Sequence, residues 1–353
     1  MMKYEAPIDI VYLWVDGTDP VWRLKRAQAQ DAFGTHNHSE LAAYSNVEGR
    51  FRDNEELRYS LRALDKFFPD HGHIYIVTDA QVPDWLCASD RVTVLDHRDL
   101  IPAACLPTFD SGNIETYIHR IPGLSERYFY FNDDVFFGAP VNVNDWFWDG
   151  GIYVAWSDEP VVSDEPLRPD ANSLENACRR SNQWFSVRKQ AFRSEHDTTV
   201  QADSNYEHTF RTFAHSPRPM LKSLLFELEA LAPELFASVR STVFRTWREP
   251  TLVSDFVMRW ALATGRGKVC EHSHLYVSTG APGTQQQLAY LASQLGQLDF
   301  FCINDTTDDA EQQDPRLENV RDAMNAMFPH PSGFERCVQI PEVAMQYYKN
   351  NSC

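Results

Sequence analysis

The stretch Tyr128-Phe-Tyr-Phe-Asn-Asp-Asp-Val-Phe-Phe137 constrains this chain more than any other. Aromatic residues run into Asn132-Asp133-Asp134 and then back into apolar ones. This is the pattern of a strand buried on both faces that ends in adjacent carboxylates. Ionised acids at an apolar strand end are costly unless paired. A hard divalent ion is one natural partner, and oxygen-only ligation points to magnesium or manganese shared with substrate phosphates. The alternative is a plain turn in which Asp133 and Asp134 face water.

A chain of 353 residues is long for one compact unit, so two lobes or one domain with a large insertion are expected. Lysine and arginine total 32 against 50 acidic residues, a balance of −18 that excludes a nucleic-acid or anionic-membrane surface as the main partner. Any anionic substrate must therefore be met by local arginines or a metal. No apolar run approaches the roughly 18 residues of a membrane span, and Met1 to Pro7 lacks the hydrophobic core of a signal peptide. The expected location is cytoplasmic, with peripheral attachment at the inner face of the membrane as a variant. Cysteines 87, 105, 178, 270, 302, 337 and 353 are scattered and never form CxxC pairs. They predict neither a disulfide framework nor a zinc site, and the glycosylation-like matches at Asn37, Asn304 and Asn350 are read as chance.

In chain order, Ile8 to Val15 reads as a buried strand that delivers Asp16 and Gly17 into a turn, where an open α/β sheet would bind ligand. Asp16 is either a ribose or base contact or an ordinary turn aspartate. Residues 27–50 predict a mobile loop. Asp53 with Glu56 three residues on predicts a capping box at the start of a helix carrying Leu57, Leu61, Leu64 and Phe68. Beside that helix start, Arg50 and Arg52 form a plausible phosphate cradle. Residues 73–78 and 91–95 predict two further strands, and the spacing is that of an α/β chain. Glu115 and His119 fall one turn apart on a face directed away from Ile114, Ile118 and Ile121, which predicts a surface pair. Residues 157–183, rich in proline and acids, predict a lobe boundary or flexible loop. His215 precedes a leucine-rich helix, and at a helix entrance the dipole would keep it neutral. Helices are expected from Asp255 to Thr264, Thr284 to Gly296 and Pro315 to Phe328. Phe300 to Asp305 repeats the strand ending in Asn-Asp.

These blocks together resemble the Stealth family. The resemblance rests on Asp9 to Asp19, Arg52 to Arg62, His119-Arg-Ile-Pro-Gly-Leu124, Asn132 to Asp134 and Asn304-Asp305, and it covers Ile8 to about Phe334. The family comprises bacterial capsule-type hexose-1-phosphate transferases and the catalytic subunits of a GlcNAc-1-phosphotransferase. The resemblance implies an α/β, glycosyltransferase-A-like (Rossmann-type) sheet with an added, mostly helical portion. Its implied reaction moves a sugar-1-phosphate from a UDP-sugar to a sugar or glycan hydroxyl, releases UMP and uses Mg2+ or Mn2+. A conventional glycosyltransferase releasing UDP, or a non-catalytic nucleotide-sugar binder, are the alternatives.

Carried onto this chain, Asp134 with Asn304 and Asp305 would hold the metal, with Asp133 beside it. His215 would be the base, and Arg245 and Arg52 would stabilise phosphate. Asp16, Gly17, Asp53, Asn54, Glu115 and His119 would stand on the substrate-binding side. The expected division is 1–156 for the nucleotide-sugar part and 157–275 for a helical insert carrying His215 and Arg245. Residues 276–353 would return Asn304 and Asp305 to the site.

Overall fold

The computed structural model describes residues 7–192, 206–311 and 313–336. Cys337, Cys353 and Asn350 lie outside them. The main sheet contains β1 (Asp9–Leu13), β2 (Ile74–Thr78), β3 (Val92–Asp96), β4 (Arg127–Asn132) and, from much later in the chain, β8 (Arg218–Leu221). Their order is β3-β2-β1-β4-β8. The first four run parallel, with Ile10 of β1 opposite Ile74 on one side and Phe129 on the other, and only β8 is antiparallel. Every residue of β1 and β2 is buried, as strands covered on both faces require. The expected Rossmann-type α/β sheet with an added, mostly helical portion is what forms.

The aromatic run around Asn132 is not one strand. Its first half is β4; its second half, β5 (Val135–Phe137), leaves for another sheet and pairs antiparallel with β11 (Phe300–Asn304). That sheet is completed by β10 (His274–Ser278), parallel to β11. Asp133 and Asp134 are thus the turn between two sheets, and the apolar residues after them belong to a separate layer. A third small sheet joins β6 (Phe147–Trp148), β7 (Gly151–Val154) and β9 (Gly267–Val269).

Ten α-helices surround these sheets among the described residues. Helix α1 (Pro20–Phe33) overturns part of the loop expected over 27–50. It is capped by Asp19, which accepts from the backbone of Val21 and Trp22, and it buries Trp22, Arg26 and Ala29. Helix α2 (Glu56–Phe67) starts later than a capping box at Asp53 would have it. Glu55 precedes it at φ 68° with no side-chain cap, and Asp53 accepts instead from Glu55 N. Short α3 (His97–Leu100) and α4 (Ser111–Glu115) follow. Next, α5 (Ser173–Phe192) replaces the later half of the loop expected over 157–183.

Helices α6 (Lys222–Leu231), α7 (Pro233–Arg240) and α8 (Val257–Ala263) make the helical portion, and α9 (Thr284–Ser293) and α10 (Pro315–Met327) close the chain. Asp314 caps α10 through Arg316 N, and Pro315 opens it as expected. One hydrophobic cluster takes in Phe129, Leu224, Trp260, Phe301 and Met324, so the segments 1–156, 157–275 and 276–336 share a core. Phe136 and Phe301 stack across the β5/β11 pair at 4.8 Å.

Candidate functional site

Strand β1 is flanked by β2 on one side and β4 on the other, so the strand order reverses there. In an open α/β sheet a crevice opens at such a point, beyond the carboxyl ends of the strands. Here those ends deliver Trp14-Val15-Asp16 and Asn132-Asp133-Asp134. The Gln81 amide fixes the first, its Oε1 accepting from Asp16 N at 3.0 Å and its Nε2 donating to Asp16 O at 2.9 Å. Asp16 Oδ1 in turn accepts from Thr18 N and Thr18 Oγ1.

Two glycines allow a third segment to lie across this crevice. Gly17 N donates to Phe51 O at 2.7 Å, and a Cβ on Gly17 would stand 2.1 Å from that oxygen. Gly49 N donates to Thr307 O, where a Cβ would meet Asp305 and Thr307 at 2.6 to 2.7 Å. The segment Glu48–Phe51 is thereby wedged between the end of β1 and the chain after β11. Beneath it lies a cavity of about 150 Å3. Its lining includes the aromatic residues Trp14, Trp22, His97 and Phe109 and the polar residues Arg50, Asp133, Asp134 and Asn304.

Asp134 is the node of the polar lining. Its Oδ1 lies 3.1 Å from His215 Nε2, and its Oδ2 accepts from Asn304 Nδ2 at 2.8 Å and from Cys302 Sγ at 3.2 Å. Burial raises the Asp134 carboxyl, but His215 and these donors outweigh it and hold the group below the usual carboxylate range. Its neighbours are not so compensated. Burial, then Asp134 and Asp53, push Asp133 well up. Burial, then Asp133 and Asp53, do the same to Glu56. Burial and Asp16 bring Asp53 up to about 6. Several carboxyls therefore converge with too little positive charge among them.

The arginines divide into committed and uncommitted. Arg52 is spent on structure: it pairs with Asp305 and donates to Thr307 Oγ1 at 2.9 Å and Ala310 O at 2.8 Å. Asp305 is equally occupied, accepting from Arg52, from Asn54 Nδ2 at 3.2 Å and from Thr307 N and Oγ1. It does not join Asn304 at Asp134. Arg245 pairs with Asp110 at 3.1 Å and donates to Ser111 Oγ. Arg50 donates to Ser45 O at 2.8 Å, and no carboxylate lies in ion-pair range of it among the described residues. Burial and then the Arg245 charge pull Arg50 down to about 9, against the opposing pull of Asp110 and Glu115.

Two expectations need correction. Glu115 and His119 are not a surface pair: both are buried, because the helix ends at Glu115 and a separate turn begins at Ile118. Glu115 Oε1 accepts from Tyr130 Oη at 2.9 Å, whereas His119 Nε2 meets Glu229 at 2.8 Å. His215 is not at a helix entrance, since β8 intervenes before α6.

The structure also adds residues that the sequence reading left out of the site. Tyr130 Oη also lies 2.7 Å from Asn132 Oδ1, its single hydrogen shared between that oxygen and Glu115, and Asn132 Nδ2 lies 3.5 Å from His215 Nε2, a chain running from Glu115 to the pocket. Cys302 reaches Asp134 because it stands two residues before Asn304, on the same face of β11.

The Asp134 carboxylate, the Asn304 amide after a flip, and Asp133 beside them are hard oxygen donors set among under-compensated acids. This donor set fits a magnesium-class ion.

Three family models match the chain: Stealth protein conserved region 1 over residues 6–34, conserved region 2 over 50–154 and conserved region 4 over 296–341. His215 and Arg245 fall between the last two. An exopolysaccharide phosphotransferase of Streptomyces coelicolor is 35% identical over 340 residues, covering 94% of this chain and 52% of that protein. A second from the same organism is 33% identical, covering 94% and 33%. The exopolysaccharide phosphotransferase CpsY of Mycobacterium leprae is 31% identical, covering 93% and 57%. The chain thus spans between a third and somewhat over half of these curated relatives. Among solved structures, the galactosyltransferase LgtC, crystallised with donor and acceptor sugar analogues, overlays with a TM-score of 0.40 at 9% identity, covering 92% of this chain and 98% of that one. So loose an overlay carries no assignment.

Proposed function

The chain belongs to the Stealth family, and from that premise we propose that it transfers a sugar-1-phosphate from a UDP-sugar to a sugar hydroxyl, making a phosphodiester and releasing UMP. The observation that carries the reading is the Asp134–His215 pair, which sits beside Asn304 where the strand order reverses. That the relatives are exopolysaccharide phosphotransferases supports the reaction class, and an exopolysaccharide sugar is the natural acceptor.

In this reading the uracil packs among Trp14, Trp22 and Phe109, and the diphosphate lies toward Arg50. Arg245, held by Asp110, stands behind Arg50 and adds to the positive field. With its Nε2–H directed at Asp134, His215 takes the proton of the acceptor hydroxyl at Nδ1 as that oxygen attacks the sugar-bearing phosphorus. The bond that breaks joins that phosphorus to the bridging oxygen, which departs with UMP. In-line placement and charge neutralisation carry most of the effect in such transfers. A magnesium or manganese ion, when bound by Asp134 with Asn304, supplies neutralisation of the phosphate oxygens. Asp134 also orients the His215 ring.

Separation of nucleotide products after incubation with UDP-sugars and sugar acceptors, with magnesium or with chelator, tests the reading. Metal-dependent UMP together with a phosphodiester product is expected. UDP as the product would instead mark a conventional glycosyltransferase. Tight donor binding without turnover would mark a binding protein.

A further inference from the structure

Cys302 is the donor at Asp134 that phosphate transfer leaves unused. It is 1% exposed and held in the centre of the second sheet, with Val135 opposite it across the antiparallel pair. Its Sγ points at Asp134 Oδ2 from 3.2 Å, while His215 Nε2 approaches the other oxygen at 3.1 Å. One donor atom from each of Asp134, His215 and Cys302 can be chosen so that all lie within 4.8 Å of one another. A tetrahedral ion with bonds of roughly 2.0–2.3 Å sets its donors about 3.3–3.8 Å apart, so closing this triangle requires only small side-chain movements. Carboxylate, imidazole and thiolate together are a poor cage for magnesium and a good one for zinc or cobalt.

We propose that Asp134, His215 and Cys302 form a three-donor site for a borderline divalent ion, Zn2+ or Co2+, with a fourth position open to the pocket. Binding releases the thiol proton to solvent and makes Cys302 a thiolate ligand. The same event occupies His215 Nε2 and Asp134, so a bound zinc ion blocks whatever chemistry those two groups perform. The site is defined by its donors and does not depend on the reaction proposed above. Its sequence signal is the spacing Cys302-x-Asn304, which puts sulfur and amide on one face of β11; a search for CxxC pairs passes over it.

The test is cobalt titration of the chelator-treated full chain, followed by absorption. Visible d–d bands and a near-ultraviolet thiolate-to-cobalt charge-transfer band should saturate at one ion per chain, and one equivalent of zinc should abolish them. Cys302→Ser should lose the charge-transfer band and bind cobalt at least about tenfold more weakly. His215→Ala, at a partly exposed side chain, should weaken binding similarly, and it carries the test should Cys302→Ser fail to fold. Cobalt binding with no charge-transfer band would overturn the proposal, because it marks an oxygen-only site. A band that survives in Cys302→Ser would also overturn it, by assigning the thiolate to another cysteine. Displacement of cobalt by an equal concentration of magnesium would do the same.

Discussion

Asn304 Nδ2 donates to Asp134 Oδ2 at 2.8 Å, so residues 170 positions apart meet where the turn leaving β4 faces the end of β11. This contact joins the main sheet to the second sheet at the pocket, and it defines what a divalent ion would have to replace. Magnesium at a hundred times its dissociation constant should stabilise the wild-type chain by about 2.7 kcal/mol. Asp134→Asn should show no such gain and should lose at least about 100-fold in kcat. Thermal melts with and without magnesium decide it. An equal metal-dependent rise in both proteins would move the ion away from Asp134.

Replacing Asp133 should have the opposite sign for stability. Its carboxyl is pushed up by burial and then by Asp134 and Asp53, so ionising it costs the folded chain stability. Asp133→Asn removes the repulsion at constant shape and should raise the melting temperature in metal-free buffer while lowering turnover, the usual trade at a site kept strained for use. A lower melting temperature would show that Asp133 is well compensated.

His215→Ala tests the base assignment. General-base catalysis is typically worth about 10²–10⁴-fold, and the loss should appear in kcat at saturating donor, acceptor and metal. Turnover near wild type would remove His215 from that role. Tyr130→Phe should act through His215 rather than on substrate. It cuts the link from Glu115 to Asn132, so kcat should fall about tenfold with little change in KM. It should also cost about 1–3 kcal/mol in urea unfolding, because Glu115 then loses its hydrogen-bond donor in the interior. An effect on KM alone would place Tyr130 in direct donor contact instead.

Gly17→Ala is expected to damage the pocket without touching any polar group in it. The new Cβ would stand 2.1 Å from Phe51 O, so the segment carrying Arg50 and Arg52 must lift away from the end of β1. Donor affinity should drop more than acceptor affinity, as titration calorimetry with a UDP-sugar would show. Unchanged donor binding would mean that Arg50 does not hold the diphosphate.

The residues that build this site were unequally legible. Strands β1, β2 and β3 follow from continuous apolar runs ending in turn residues, and the Asn-Asp endings of two strands correctly point toward the pocket. The split of β4 from β5 was not legible, because a change of sheet leaves no mark in hydrophobicity when both halves are buried. Strand β8 was hidden by Pro219, which argues against a strand yet is tolerated on a sheet edge, and missing it placed His215 at a helix. Helix α1 was hidden because its inner face includes Arg26, which donates to Glu48 and Asn46 and lies 4.4 Å over the Phe51 ring. The burial of Glu115 and His119 was not legible because their partners, Tyr130 and Glu229, are remote in sequence.

The last element to reach the site's scaffold is clamped by Glu335, and its chemistry predicts an acid limit. Glu335 accepts from Arg62 Nε at 2.6 Å and from Arg58 Nε at 2.6 Å, fastening the end of the described chain to α2. Although burial raises this carboxyl, the Arg62 and Arg58 donors and the Ser332 amide outweigh it and bring it down to about 2. Because the folded carboxyl lies below the unfolded one, the unfolded chain takes up its proton first as pH falls. The stabilisation, on the order of 3 kcal/mol, is therefore complete above the ordinary glutamate range and is lost as pH falls toward about 2. Glu335→Gln should lose about 3–5 kcal/mol at neutral pH, since Arg62 is left buried without its partner. Its stability should then fall less steeply than that of wild type between pH 5 and pH 3. Urea midpoints at those two pH values measure both effects, and parallel losses in the two proteins would show that the acid limit is set by other carboxyls.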